Sequence, residues 1–172
     1  VCVSASVIED NTWVKYFGDE LCPMQSAFKF PVALAILNRV DKKEFTLDYK
    51  IRFTPKDLIG YDQSMLRDSF QSGNINVTFN NLIRYMVSFS DNISCDALIH
   101  HLGKPKVVSK YIRKLGIDDF NIKYDEKTMA KKWRNQYQNY SSANAMTNLL
   151  IQFYLQKVLS PASTDYLYQV MT

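Results

Sequence analysis

The 172-residue sequence lacks several features that would place a protein in a specialised class. It has no apolar run approaching the ~20 residues that cross a bilayer, and no internal repeat, low-complexity tract or interdomain linker. Its formal net charge of +4 is mild, and the Lys and Arg residues are scattered without an aromatic-plus-basic pattern. These absences argue against a membrane-spanning protein, a repeat protein and a nucleic-acid-binding protein.

Cysteine is also scarce, and its three positions are Cys2, Cys22 and Cys95. Their spacing fits neither a metal site nor a redox motif. At most one disulfide can form among them, and the sequence leaves the pairing open.

Aromatic residues, in contrast, are abundant, with 11 Tyr, 10 Phe and 2 Trp. The hydrophobic fraction is 47%, which favours a globular chain over a disordered one. The length is sufficient for one domain with a real core.

The chain begins with alternating residues that predict a β-hairpin over 1–16, with Asp10 and Asn11 in its turn. A buried helix is predicted for 26–41, because 32–37 is apolar on every helical face. Pro31 has no N–H to donate, so we expect a kink or a 3₁₀ opening turn.

The rest of the chain is predicted to alternate helices with two long irregular segments. The predicted helices cover 77–89, 93–102, 106–115, a segment capped by Ser141 or Ser142 that runs to about 159, and 161–172. An extended link is predicted for 46–55, an irregular segment for 56–76, and a long loop with one helical turn near 126–129 for 116–139.

Ser26 and Lys29 are three residues apart at the start of the buried helix, which places the hydroxyl and the ammonium on one face. A serine nucleophile needs an adjacent base of this kind. The pair is also common by chance, because Ser favours helix starts and Lys tolerates helices. Taken alone, it predicts an ordinary capped core helix.

Ser90, Asp91 and Asn92 form a second polar cluster, in the joint between two predicted helices. These residue types often serve only to end one helix and begin the next.

Together, Ser26-Ala-Phe-Lys29 and Ser90-Asp91-Asn92 resemble the motifs of class A β-lactamases and penicillin-binding proteins. Pro23-Met24 and Phe28-Lys29-Phe30 look like the local sequence of class A. Glu126 follows Ser90 by 36 residues, the separation at which that family carries its general-base glutamate. Gln136-Tyr-Gln-Asn139 resembles the loop closure of a divergent branch, in which an asparagine replaces the usual aspartate.

The resemblance implies an α+β, β-lactamase/transpeptidase-like fold. A mostly helical domain over 21–159 would carry the motifs. Residues 1–20 and 160–172 would form a partial sheet layer, in which the hairpin belongs to an incomplete antiparallel sheet.

The resemblance also implies roles for individual residues. Ser26, Lys29, Ser90 and Glu126 would be catalytic, with Ser26 forming an acyl-enzyme and Lys29 or Glu126 acting as base. Ser90 would pass a proton to the leaving nitrogen. Substrate-binding roles fall on Asn92, Ser90 and, by a weaker alignment, Gln63; structural support falls on Asp91, Asn139 and Asp96. No metal or cofactor is expected.

Three departures from the family pattern stand out. Ala130 replaces an asparagine that holds the hydrolytic water in most members, so deacylation is expected to be slow. Tyr124 replaces the arginine that would pair with the residue at Asn139. A Lys-Thr-Gly or Lys-Ser-Gly motif occurs nowhere, and we expect that the chain is a segment of a longer enzyme.

The function implied is hydrolysis of small-molecule β-lactams, and hence antibiotic resistance, in the periplasm or outside the cell. The alternatives are a penicillin-binding D-Ala-D-Ala peptidase or β-lactam receptor, and an inactive fragment. The expected state is a monomer when complete, possibly paired with a missing C-terminal segment, with no nucleic-acid partner and no membrane span.

Overall fold

The computed structural model describes every residue from Val1 to Thr172, and it has the predicted α+β architecture. Its helices are α1 (Lys29–Asp41), α2 (Met65–Ser69), α3 (Phe79–Ser88), α4 (Asn92–Leu102), α5 (Pro105–Lys114), α6 (Glu126–Ala130), α7 (Ala143–Tyr154) and α8 (Pro161–Met171). Its strands are β1 (Val3–Val7), β2 (Thr12–Tyr16), β3 (Leu21–Pro23), β4 (Lys50–Phe53), β5 (Ile75–Thr78), β6 (Phe120–Asn121) and β7 (Tyr140–Ser142). Three 3₁₀ turns span Gln25–Phe28, Pro55–Leu58 and Trp133–Gln138. None of the helices is long and apolar enough to cross a membrane.

Helix α1 forms the centre of the core, as its apolar sequence predicts. Every residue from Pro31 to Leu37 is buried, and α3, α4, α5 and α8 pack around the helix. A 3₁₀ turn opens it at Gln25–Phe28, which confirms the effect expected from Pro31. The central position of α1 therefore also buries the Lys29 side chain at its first turn.

The first 16 residues form the predicted antiparallel hairpin, in which Val3 pairs with Tyr16 and Val7 with Thr12. The hairpin pairs with no further strand and packs on α7, where the Thr147 hydroxyl donates to the Ser4 carbonyl at 3.0 Å. A Cys2–Cys22 disulfide links it to β3, and Cys95 remains a buried free thiol. The crosslink that the sequence left open thus joins the hairpin to the strand before Ser26.

The segment predicted as irregular over 56–76 is more ordered than expected. It contains α2, whose N-cap Ser64 accepts from the Arg67 N–H, and it ends in β5. Strand β5 pairs with β4 of the predicted extended link. The pairing joins segments that are distant in sequence, so no local periodicity signals it.

Helix α7 ends at Tyr154, earlier than the predicted end at 159. Gln156 has a left-handed backbone (φ 55°), which stops the helix. Val158 and Leu159 are nevertheless buried, although they lie beyond the end of the helix. Helix α8 then begins as predicted, with Ser160 as its N-cap.

The start of α8 is attached to the end of α1. The Asp41 carboxylate accepts hydrogen bonds from the Ser160 N–H (2.8 Å), the Ser160 hydroxyl (2.7 Å) and the Ser163 hydroxyl (2.6 Å). Burial alone would raise the pKa of Asp41, but these hydrogen bonds outweigh it and hold the pKa below its usual value. This contact, which we call the Asp41 joint, connects residues 119 positions apart.

Candidate active site

Ser26 lies exposed in the 3₁₀ turn that opens α1. Gln25, directly before it, has a left-handed backbone (φ 47°), a conformation that non-glycine residues seldom adopt. The Met24 N–H donates to the Asn139 carbonyl at 3.0 Å, so the turn is fixed to the end of the long loop. The Ser26 hydroxyl accepts from the Lys29 ammonium at 3.2 Å, which places nucleophile and amine in direct contact.

Lys29 is the centre of the cluster, and its side chain is only 3% exposed. Besides Ser26, its Nζ atom lies 2.9 Å from the Ser90 carbonyl, 3.1 Å from the Ser90 hydroxyl, 2.7 Å from Asn92 Oδ1 and 2.7 Å from Glu126 Oε1. An ammonium has only three hydrogens, so five oxygens compete for them. We call this group the Lys29 cluster.

The joint between α3 and α4 supplies two members of the Lys29 cluster. Ser90 has a left-handed backbone (φ 56°), which directs both its carbonyl and its hydroxyl towards Lys29. Asp91 is fully buried, and its carboxylate accepts from the Ser64 hydroxyl (2.7 Å), the Leu66 N–H (2.9 Å) and the Ser94 N–H (2.7 Å). Asp91 therefore holds α2 against α4 and does not reach the cluster.

Glu126 enters the cluster from the long loop at the first residue of α6, and its side chain is 11% exposed. The carboxylate of Asp96 accepts from the Glu126 N–H (2.7 Å), the Lys127 N–H (3.0 Å) and the Tyr61 hydroxyl (3.1 Å). Burial raises the pKa of Asp96 to about 7, although these hydrogen bonds favour the charged form. Asp96 thus anchors the backbone that carries Glu126.

Asn139 closes the same loop and is fully buried. Its Oδ1 accepts from the N–H groups of Lys123 (2.9 Å) and Tyr124 (3.0 Å), while its Nδ2 donates to the Tyr124 carbonyl at 2.8 Å. An aspartate could accept but could not donate here. This geometry gives a physical reason for the asparagine, and it shows how the loop closes with tyrosine at position 124.

A pocket of about 160 Å³ lies beside Glu126 and Asn92. Its remaining lining residues are Gln25, Tyr61, Asp62, Met129, Ala130 and Gln136. Gln63 does not line it; this side chain is exposed, and its carbonyl accepts weakly from the Asn92 N–H at 3.4 Å. A substrate contact by Gln63 stays a prediction, and Tyr61 and Asp62 provide this part of the wall.

Sequence reasoning missed the contact that spans this pocket, in which Gln25 Nε2 donates to Gln136 Oε1 at 2.8 Å. Only the position of Gln25 next to Ser26 hinted at it. No group of His, Cys, Asp and Glu side chains in the chain is arranged to hold a metal ion.

Comparison with known proteins adds independent findings. A model of the β-lactamase enzyme family matches residues 1–172. Over 160 residues the chain is 39% identical to β-lactamase VEB-1 of Pseudomonas aeruginosa, a match that covers 92% of this chain and 53% of the relative. The chain thus spans about half the length of the curated relatives that it matches.

Solved structures agree in fold. A β-lactamase from Chitinophaga pinensis superposes with a TM-score of 0.96 at 37% identity, covering 99% of this chain and 63% of the other. An ancestral class A β-lactamase superposes with a TM-score of 0.89 at 27% identity, covering 98% of this chain and 64% of the other.

Proposed function

Because the chain belongs to the class A branch of the β-lactamase enzyme family, we propose that the protein hydrolyses β-lactams through an acyl-enzyme on Ser26. The observation that carries the proposal is the position of Lys29. Its ammonium contacts the hydroxyl of Ser26 at 3.2 Å and the carboxylate of Glu126 at 2.7 Å. The nucleophile and the two candidate bases, Lys29 and Glu126, therefore form one contact group, as nucleophilic catalysis requires.

Acylation begins when Ser26 Oγ attacks the β-lactam carbonyl carbon. The hydroxyl proton passes through water to Glu126, or to Lys29 when that residue is present as the neutral amine, as the new C–O bond forms. The oxyanion receives a hydrogen bond from the Ser26 N–H, at the positive end of its helical turn. The C–N bond then breaks, and the nitrogen takes a proton from Ser90, whose hydroxyl regains one from Lys29 Nζ, 3.1 Å away. Where Glu126 has taken the Ser26 proton, it returns that proton to Lys29 across their 2.7 Å contact.

Asn92 has two separate tasks in this proposal. Its Oδ1 accepts from Lys29 at 2.7 Å and so orients the amine. Its Nδ2 remains free to donate to the amide of the substrate side chain. One side chain thereby fixes the substrate relative to the base.

Deacylation consumes a water molecule in the pocket beside Glu126. Glu126 takes a proton from this water as its oxygen attacks the ester carbon, and the C–O bond to Ser26 breaks. The proton held by Glu126 passes to Ser26 Oγ, and the ring-opened acid leaves. Glu126 is part of the Lys29 cluster and also lines the pocket, which supports this role.

The proposal includes export to the periplasm or the medium, where β-lactam hydrolysis confers antibiotic resistance. The Cys2–Cys22 disulfide supports this location, because disulfides persist in oxidising compartments.

The test uses the complete gene product and the 172-residue chain side by side. We expect the complete protein to hydrolyse a chromogenic cephalosporin and to show a short-lived adduct on Ser26 by intact mass. Ser26→Ala should abolish both signals, while Ser69→Ala, at an exposed serine, should leave them unchanged. A stable adduct without turnover would indicate a penicillin-binding peptidase or receptor. Absence of any adduct would refute the proposal.

A further inference from the structure

The side chains of Gln25 and Gln136 meet across the pocket beside Glu126. Gln25 precedes Ser26, whereas Gln136 lies in the 3₁₀ turn after α6, and the two residues are 111 positions apart. Gln136 is half-buried, and its Oε1 accepts from Gln25 Nε2. A carbonyl oxygen has two lone pairs, so Gln136 Oε1 retains one for a second donor.

Deacylation places a specific demand on this pocket. A water that gives one hydrogen to Glu126 needs an acceptor for its other hydrogen, so that a lone pair is aimed at the ester carbon. Bound waters typically make about three hydrogen bonds. The acceptor must therefore come from the pocket wall.

Most of the wall cannot supply it. Met129 and Ala130 bring no suitable polar side-chain atom. Asn92 Oδ1 is directed into the Lys29 cluster, 2.7 Å from the ammonium, and the Tyr61 hydroxyl is directed to Asp96. Apart from Gln25 and Gln136, the remaining candidate is the exposed carboxylate of Asp62.

We propose that Gln136, held in place by Gln25, positions the hydrolytic water beside Glu126. This inference rests on the proposed function, because it concerns the deacylation step. Gln136 is a positioning residue in this account; the proton is taken by Glu126. The Gln136 carboxamide reaches the pocket from the far end of the loop. It accepts the hydrogen bond from the water that the methyl side chain of Ala130 cannot accept.

The decisive variant is Gln136→Met, which keeps the length of the side chain and removes its amide. Losing one positioned hydrogen bond should slow deacylation about tenfold. Slower deacylation lowers kcat and KM together and leaves kcat/KM, which reports acylation, within about twofold. The adduct on Ser26 should accumulate accordingly in quenched-flow mass spectrometry.

Three further variants provide a test of the supporting residue, a rescue and a control. Gln25→Met should slow deacylation about threefold, because Gln136 loses its support but keeps its oxygen. Adding Ala130→Asn to Gln136→Met should restore at least part of the rate, since it returns an amide to the pocket. Gln138→Ala should change nothing, because its side-chain oxygen accepts from Lys123 on another side of the same 3₁₀ turn.

The inference fails if Gln136→Met deacylates within about twofold of the wild type. It also fails if Asp62→Ala slows deacylation about tenfold and Gln136→Met does not. In either case wild-type turnover would leave the proposed function standing. If the wild type forms no adduct on Ser26, both proposals fall. Should Gln136→Met misfold, as thermal denaturation would reveal, Gln25→Met decides: an unchanged deacylation rate overturns the inference.

Discussion

The two ends of α1 carry polar clusters of opposite character. At its C-terminal end, the Asp41 carboxylate accepts two hydrogen bonds from Ser160, the N-cap of α8, and one from Ser163, so each donor there has an acceptor. At its N-terminal end, Lys29 has three hydrogens for five oxygens. The same helix is therefore fixed at one end and has alternative hydrogen-bond arrangements at the other.

This difference distinguishes polar groups that stabilise the fold from polar groups that take part in the proposed reaction. A fully matched set of hydrogen bonds has one low-energy arrangement, and it stabilises the fold by holding that arrangement. The Lys29 cluster has several arrangements that differ only in which oxygens accept a hydrogen bond from the ammonium. A site that must move protons between a serine, an amine and a carboxylate benefits from that multiplicity.

The largest expected effect comes from removing the amine with Lys29→Met. Acylation of Ser26 should fall by about 10²- to 10⁴-fold, the usual contribution of a general base, and Glu126 should lose its ion-pair partner. Intact-mass kinetics of adduct formation measures this change. The control is Lys42→Met, at an exposed lysine just beyond α1. Normal acylation by Lys29→Met would show that the multiplicity of the cluster has no catalytic role.

Glu126→Gln divides the cluster into its two chemical steps. The amide keeps an oxygen for Lys29 but cannot take a proton from water, so we expect the adduct on Ser26 to form and then persist. Deacylation should slow by about 10²- to 10³-fold, as measured by the decay of the adduct. Glu44→Gln, at an exposed glutamate paired with Arg39, serves as the control. Equal losses in both steps would contradict this division of roles.

At the other end, Asp41→Ala should affect folding alone. It removes three hydrogen bonds to a charged acceptor and leaves the Ser160 N–H without its partner, so the free energy of unfolding should fall by about 2–3 kcal/mol. Urea denaturation measures the loss, with Asp48→Ala, at an exposed aspartate, as control. A large change in the acylation rate of Asp41→Ala would show that the C-terminal end of α1 also affects the reaction, and would contradict this prediction.

The Asp41 joint also predicts a pH dependence. Because the pKa of Asp41 is lowered in the folded protein, its contribution is present above the ordinary value of 3.8 and is lost as the pH falls through the lowered pKa. The difference in stability between wild type and Asp41→Ala should therefore shrink in strongly acidic solution. A constant difference down to pH 2 would mean that the carboxylate charge is not involved.

Asp96 should show the smallest effect, with the opposite sign. Its pKa is raised to about 7, mainly by burial, so the folded state holds a proton that the unfolded state releases. Stability should fall by about 1 kcal/mol between pH 6 and pH 8 because of this group. Urea titrations across that range should show the slope in the wild type and a reduced slope in Asp96→Asn. Equal slopes would mean that a group other than Asp96 causes the pH dependence of stability.

The parts of the fold that sequence could predict are those with a local signal. Helix α3 follows from apolar residues at helical spacing, and α8 follows from Ser160 before Pro161. The 3₁₀ turn at Ser26 follows from Pro31, which has no N–H to continue an α-helical pattern backwards. In each case the cause lies within a few residues of the effect.

The parts that sequence could not supply are contacts between distant segments. The β4–β5 pairing, the Asp41 joint and the contact between Gln25 and Gln136 all depend on how the whole chain folds. The motif residues Ser26, Lys29, Ser90, Asn92 and Glu126 were named from a family resemblance, and the structure brings all five within one cluster. Their order in the chain does not predict how many oxygens lie within hydrogen-bond distance of Lys29 Nζ.

The 3₁₀ turn before α1 has a further consequence for the angular position of Ser26 and Lys29. Residues three apart return to the same side of the axis in a 3₁₀ helix, but differ by about 60° in an α-helix. The opening turn thus brings the hydroxyl nearly into line with the amine before any side chain rotates. Pro31 has no reactive atom, yet by enforcing this turn it helps to set the distance over which the first proton travels.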